Sequence, residues 1–93
     1  MIQVKTHNKK NNTDFFIQSK GNNAGQPLNE STANCFDVII ADKNRVLPQY
    51  AFYMVLNAYN QDAFKKYIKG SVIPFITIDD FITAFNEFYN QSK

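Results

Sequence analysis

Lys69-Gly70-Ser71-Val72-Ile73-Pro74-Phe75-Ile76-Thr77-Ile78-Asp79-Asp80-Phe81 is a short apolar run set between a chain reversal and a helix start. Gly70 can enter the left-handed region that closes a helix, Pro74 has no N–H for a ladder bond in mid-run, and Thr77 with Asp80 has the spacing of an N-terminal capping pair. The stretch predicts a crossover that holds two helices at a fixed angle. On its C-terminal side, Ile78, Phe81, Ile82, Phe85, Phe88 and Tyr89 form one broad apolar stripe at helical spacing. Asp79 and Asp80 fall in the first turn of that helix, where the macrodipole favours carboxylates. On its N-terminal side, Asn60-Gln61-Asp62 reads as the start of a second, short helix through Ala63, Phe64, Tyr67 and Ile68, with Lys65, Lys66 and Lys69 on its polar side and Gly70 at its end.

Further out, Pro48 suits the first turn of a helix, and Ala51, Met54, Val55 and Ala58 follow at i, i+3, i+4, i+7, the spacing of one buried face. Tyr50, Phe52, Tyr53 and Tyr59 add aromatic bulk on its other sides, which predicts cover from the sheet and from another helix or a partner chain. Cys35-Phe36-Asp37-Val38-Ile39-Ile40 is β-branched and apolar, a strand buried on both faces, followed by a turn at 41–45. Asp14-Phe15-Phe16-Ile17-Gln18-Ser19 alternates Phe15, Ile17 and Ser19 against Phe16 and Gln18 and reads as its partner strand. Between the two, residues 20–34 carry Gly21, Gly25, Pro27 and several asparagines, the composition of a long loop, and long loops often carry function. Residues 1–13 read as an N-terminal arm, either flexible or short-stranded.

Ninety-three residues amount to a single domain, 1–93, whose core rests on nine Phe and five Tyr with no Trp. Ten basic and eight acidic residues give a net charge of +2, too small to announce a nucleic-acid or membrane partner by itself. The chain shows neither the h-region of a secretory signal nor an apolar window long enough for a membrane span. The single cysteine, Cys35, forms no internal disulfide and fits a reducing compartment. The expectation is a cytoplasmic protein with no membrane partner.

Catalytic chemistry finds few residues to work with. His7 is the one histidine, and no pair of carboxylates stands at a metal-binding spacing, so the sequence predicts no enzyme, no cofactor and no metal. Asp79 and Asp80 point about 100° apart on a helix, which suits capping better than shared proton or metal chemistry. Binding is better supplied. Lys20, Asn22 and Asn23 in the glycine-rich loop, with Lys65, Lys66 and Lys69, are the residue types that touch phosphates and base edges, and could converge as a basic strip. The bland alternative is a solvated surface. Tyr50, Tyr53 and Tyr59 are candidates for a protein interface or for stacking on unpaired bases, against the plainer reading of helix-spaced rings as core. Cys35 is most simply a small buried hydrophobe.

The segments Val46-Leu47-Pro48-Gln49-Tyr50-Ala51-Phe52-Tyr53-Met54-Val55-Leu56, Phe64-Lys65-Lys66-Tyr67-Ile68-Lys69-Gly70-Ser71 and Ile73-Pro74-Phe75-Ile76-Thr77-Ile78-Asp79-Asp80-Phe81 resemble the closing portion of target-recognition domains in type I restriction-modification specificity subunits. There a P-x-Y-L-x-Y-x-L helix leads through a second helix to a G-S-x-x-P-x-I-x-x-x-D-L crossover. The likeness covers roughly forty residues and implies a DNA-reading surface supported by the crossover. Ser19-Lys20-Gly21-Asn22-Asn23-Ala24-Gly25-Gln26-Pro27-Leu28 and Asn34-Cys35-Phe36, with the run from Gly70 to Ile76, also look like a family of small uncharacterised bacterial proteins associated with mobile elements.

These readings combine into an α+β domain: a small curved sheet, antiparallel or mixed, of two to four short strands packed with three helices. The order is strand, loop, strand, helix, helix, extended run, helix. The expected role is a non-enzymatic binding module for DNA or another nucleic acid, related to restriction or mobile-element systems. The alternative is a protein-interaction module, either a homodimer or a modulator of a bacterial defence or host complex.

Overall fold

The computed structural model describes residues 2–90. Four strands, β1 (Ile2–Thr6), β2 (Phe15–Gln18), β3 (Pro27–Leu28) and β4 (Cys35–Ile40), form one sheet in the order β1-β4-β2-β3, and every pairing is antiparallel. The last strand in the sequence thus lies between the first two. Two helices follow, α1 (Pro48–Asn60) and α2 (Ile78–Asn90), α2 against β1, α1 against β3, and each against the other. The predicted arm resolves into an edge strand, with Met1 outside the described residues, and the loop 20–34 contains the two-residue β3.

Side-chain alternation divides the sheet. Phe15 and Ile17 of β2 and Val38 and Ile40 of β4 face the helices and are buried with Ala51, Val55 and Ala58 of α1 and Phe81, Ala84 and Phe85 of α2. Phe64 stacks on Phe81 with ring centres 4.6 Å apart, and Phe81 lies parallel to Phe85 at 6.3 Å, so a column of rings fills the space beside α2. Cys35, Asp37 and Ile39 alternate to the other face. Cys35 and Asp37 are nonetheless buried and Ile39 half-buried.

Two helices form rather than the three expected. The predicted second helix across 60–69 is a single 3₁₀ turn, Lys65–Tyr67. The reason lies at the end of α1. Asp62 takes φ 64°, its N–H donates to the Tyr59 carbonyl at 3.1 Å, and the Ala63 N–H donates to the Ala58 carbonyl at 3.0 Å. This is a left-handed helix stop with aspartate in the place usually held by glycine. Too few residues remain before the crossover to nucleate another helix.

The crossover itself is a tight reversal. Lys69 and Phe75 exchange backbone hydrogen bonds of 2.8 and 2.9 Å, and Gly70 takes φ 96° inside the turn they close. Gly70 therefore serves this turn and not a helix end. Val72 and Ile73 are left exposed at its tip, while Ile76 returns to the core. Thr77 Oγ1 then accepts from the Asp80 N–H at 3.2 Å, the expected cap of α2. Among the described residues no helix is long and apolar enough to cross a membrane.

Candidate functional site

Phe75 is the residue that brings front and rear of the chain together. It bridges Lys69 on one side and Lys20 on the other, the Gly21 N–H donates to the Pro74 carbonyl at 2.7 Å, and the Ile76 N–H donates to the Ser19 carbonyl at 3.0 Å. The loop that opens at Lys20 is thereby fixed against the crossover. Gly25, at φ 97°, lets this loop lie on the Phe64 ring: a Cβ there would meet the ring at 3.0 Å.

Between this loop and the end of α1 lies a cleft of about 540 Å³, lined among others by Asn22, Tyr59, Asn60, Asp62, Lys65 and Ile68. The Tyr59 hydroxyl donates to Asn23 Oδ1 at 3.4 Å across its mouth. Of the sequence-predicted residues, Asn22 and Lys65 line the cleft, Asn23 meets Tyr59 beside it, and Lys20 and Lys69 flank Phe75. Lys66 turns toward α2, into a second hollow of about 400 Å³ that it shares with Lys65, Asp62 and Glu87.

The rear lysines are not bare. Lys65 Nζ lies 3.4 Å from Asp62, Lys66 Nζ 3.8 Å from Glu87, and Lys69 Nζ 2.9 Å from Asp80. All three lysine side chains are more than half exposed, and surface pairs of this kind contribute only about 0–1 kcal/mol each. The Tyr67 hydroxyl also donates to Glu87. That bond, then burial and the charges of Glu87 and Asp80, pushes the phenol above its ordinary value of 10.0.

The three tyrosines separate. Tyr59 belongs to the cleft, whereas Tyr50 and Tyr53 stand 61% and 56% exposed and form one stripe of α1 with Leu47, 67% exposed. Phe52 and Tyr53 meet edge to face beside a shallow hollow that also takes in Asn29 and Pro48.

A second constellation lies on the far face of the sheet. Asp37 is fully buried at the centre of β4, where Oδ1 lies 2.7 Å from His7 Nδ1, and Oδ2 accepts from the Asn8 N–H at 2.9 Å and from Asn11 Nδ2 at 2.8 Å. The loop after β1 is drawn down over the carboxylate, and the His7 ring meets Phe16 edge-on at 5.7 Å. Burial by itself pushes the Asp37 carboxyl upward and is the largest single influence. The Asn8 N–H, His7 and Asn11 hydrogen bonds and the His7 charge together outweigh it and hold the group below the ordinary 3.8. Cys35, two residues along the same face, completes a group in which one donor atom each from His7, Cys35 and Asp37 lies within 4.8 Å of the others. Sequence reasoning set His7 and Cys35 aside as the single histidine and single cysteine of a chain without a carboxylate pair at metal-binding spacing, and did not consider Asp37, which lies 30 positions from His7. The available signal was a charged residue in the middle of an apolar central strand.

Fold and sites together define a small two-layer α+β domain with a cleft of mixed polarity on one side and a buried carboxylate on the other. The chain belongs to a family of unknown function, DUF6943, whose profile matches residues 4–93. This membership agrees with the likeness to a family of small uncharacterised proteins; nothing in the comparisons supports the likeness to restriction-modification specificity domains. No curated protein matches the chain, and no solved structure does.

Proposed function

We propose that this protein is a non-enzymatic binding module that engages nucleic acid along the cleft between the loop at 20–24 and the segment 59–69. The observation that carries this reading is that Asn22 and Lys65 line one cleft with Tyr59, with Asn23 bonded to Tyr59 beside it and Lys20 and Lys69 flanking Phe75 next to it, from parts of the chain some forty positions apart. Lysines supply phosphate contacts, amides suit base edges, and a tyrosine offers a stacking surface. The cleft volume falls within the range of about 300–1,000 Å³ typical of small-ligand sites, which suits an unpaired nucleotide and is too small for a duplex. Asp62, Glu87 and Asp80 dilute the positive field, so binding is moderate and strongly salt-dependent. The tie to restriction or mobile-element systems rests on the sequence likeness alone.

Fluorescence anisotropy with labelled single-stranded and duplex oligonucleotides, repeated across a salt series, tests the reading. Retention of single strands, weakening by about 0.7 log units per phosphate contact for each tenfold rise in salt, is the expected result. Absence of any retention at low salt removes it.

The exposed Leu47, Tyr50 and Tyr53 stripe favours a second reading, a protein-interaction module in which α1 meets a second copy or another protein. Sedimentation of the wild type beside a Tyr50→Ala, Tyr53→Ala variant tests it. A concentration-dependent dimer lost in the variant supports self-association, and a strict monomer at all concentrations counts against it.

A further inference from the structure

We propose that His7, Cys35 and Asp37 form a site for a divalent transition metal ion, with zinc the best match, on the face of the sheet turned away from the helices. Three observations carry it. The donor set is imidazole, thiol and carboxylate, the ligand types that bind zinc, and their donor atoms lie within 4.8 Å of one another. Two of the three, Cys35 and Asp37, are buried on a rigid central strand at alternate positions, which fixes their separation. The third, His7, sits half-buried on a loop able to adjust.

Charge favours the same conclusion. Asp37 is fully buried, and no lysine or arginine among the described residues pairs with it. A divalent ion with the Asp37 carboxylate and the Cys35 thiolate makes a neutral cluster in a place where a lone charge is poorly solvated. Binding through His7 Nδ1 moves the imidazole proton to Nε2, and binding through Cys35 breaks the S–H bond and releases one proton to solvent, so one proton leaves per ion bound.

The donor atoms, which stand up to 4.8 Å apart, must draw in to about 3.3–3.6 Å, while the closest pair must part. Ligand atoms about 2.0–2.1 Å from a tetrahedral ion stand roughly 3.3 Å apart, so the 2.7 Å between His7 Nδ1 and Asp37 Oδ1 must open by about half an ångström. Asn8 and Asn11 hold Oδ2 throughout and leave Oδ1 to face the ion. A water molecule completes the fourth position.

The test is a titration of chelator-treated protein with Co²⁺, read by absorption, followed by displacement with Zn²⁺. The expected result is a sulfur-to-cobalt charge-transfer band and visible bands of tetrahedral strength, lost on adding Zn²⁺, with one proton released per zinc in weak buffer. Cys35→Ser should abolish the charge-transfer band, and Asn11→Ala, which leaves all three ligands in place, should weaken zinc binding about 10–100-fold. If Cys35→Ser fails to fold by circular dichroism, alkylation of Cys35 in the wild type with and without Zn²⁺ replaces it, with protection by the metal expected. Octahedral Co²⁺ spectra without a sulfur band, or alkylation rates indifferent to zinc, overturn the proposal.

Discussion

A Cβ on Gly70 would lie 2.3 Å from the Ile73 carbonyl oxygen, a separation that no side chain can relieve because the obstacle is backbone. Together with φ 96°, this makes the turn at 70–73 specific to glycine. Gly70→Ala should lower stability by about 2–4 kcal/mol, the sum of left-handed strain and a forced backbone shift. Denaturant unfolding should show an earlier midpoint. Because the loop at 20–24 is fixed against this turn through Pro74 and Phe75, the variant should also lose nucleic-acid retention in the anisotropy assay.

Asp62 tests the reverse sign. It occupies a left-handed helix stop that glycine fills with less strain, and among the described residues its carboxylate pairs with the exposed Lys65 alone. Asp62→Gly should raise stability by about 0.5–1 kcal/mol, less the small worth of that surface pair. It should also tighten nucleic-acid binding by removing a negative charge from the cleft. A loss of stability beyond about 1 kcal/mol would show that the aspartate does more than occupy the stop.

Lys65 separates phosphate contact from base contact. Lys65→Ala should weaken binding about equally for all single-stranded sequences and reduce the salt slope by about 0.7. Tyr59→Ala, by contrast, should weaken binding by about 1–3 kcal/mol while leaving the slope unchanged, because stacking carries no counterion release.

Asp37 gives a pH dependence of defined sign. Its carboxyl is held below the ordinary 3.8 in the folded chain, so the unfolded chain takes up a proton first as pH falls. The contribution is complete above the unfolded value and is lost as pH falls toward and through the folded one. Chelator-treated protein should therefore lose stability as pH falls through and below the ordinary carboxylate value of 3.8, and Asp37→Asn should flatten that part of the curve. Asp37→Ala, which strips His7, Asn8 and Asn11 of their acceptor, should cost about 2–4 kcal/mol at neutral pH.

Local pattern made much of this architecture readable. The i, i+4, i+7 spacing of Ala51, Val55 and Ala58 placed α1, the stripe through Phe81 and Phe85 placed α2, and the alternation of Phe15 and Ile17 placed β2. Thr77 marked the start of α2 through a hydrogen bond that needs only three residues. What escaped was whatever depends on distant partners. β3 is two residues long and exists because Phe16 and Ile17 pair with it. The helix expected across 60–69 gave way to a stop at Asp62 that aspartate does not advertise as glycine would. Asp37 reads as an interruption in a strand until His7, Asn8 and Asn11 arrive from the other side of β1.

The chain leaving β1 is fastened to the sheet by a polar latch at Asp37. Release of one carboxylate would free the loop at 7–11 first, while β1 stays paired with β4 and packed on α2, so this corner is where proteases and amide exchange should find the molecule first.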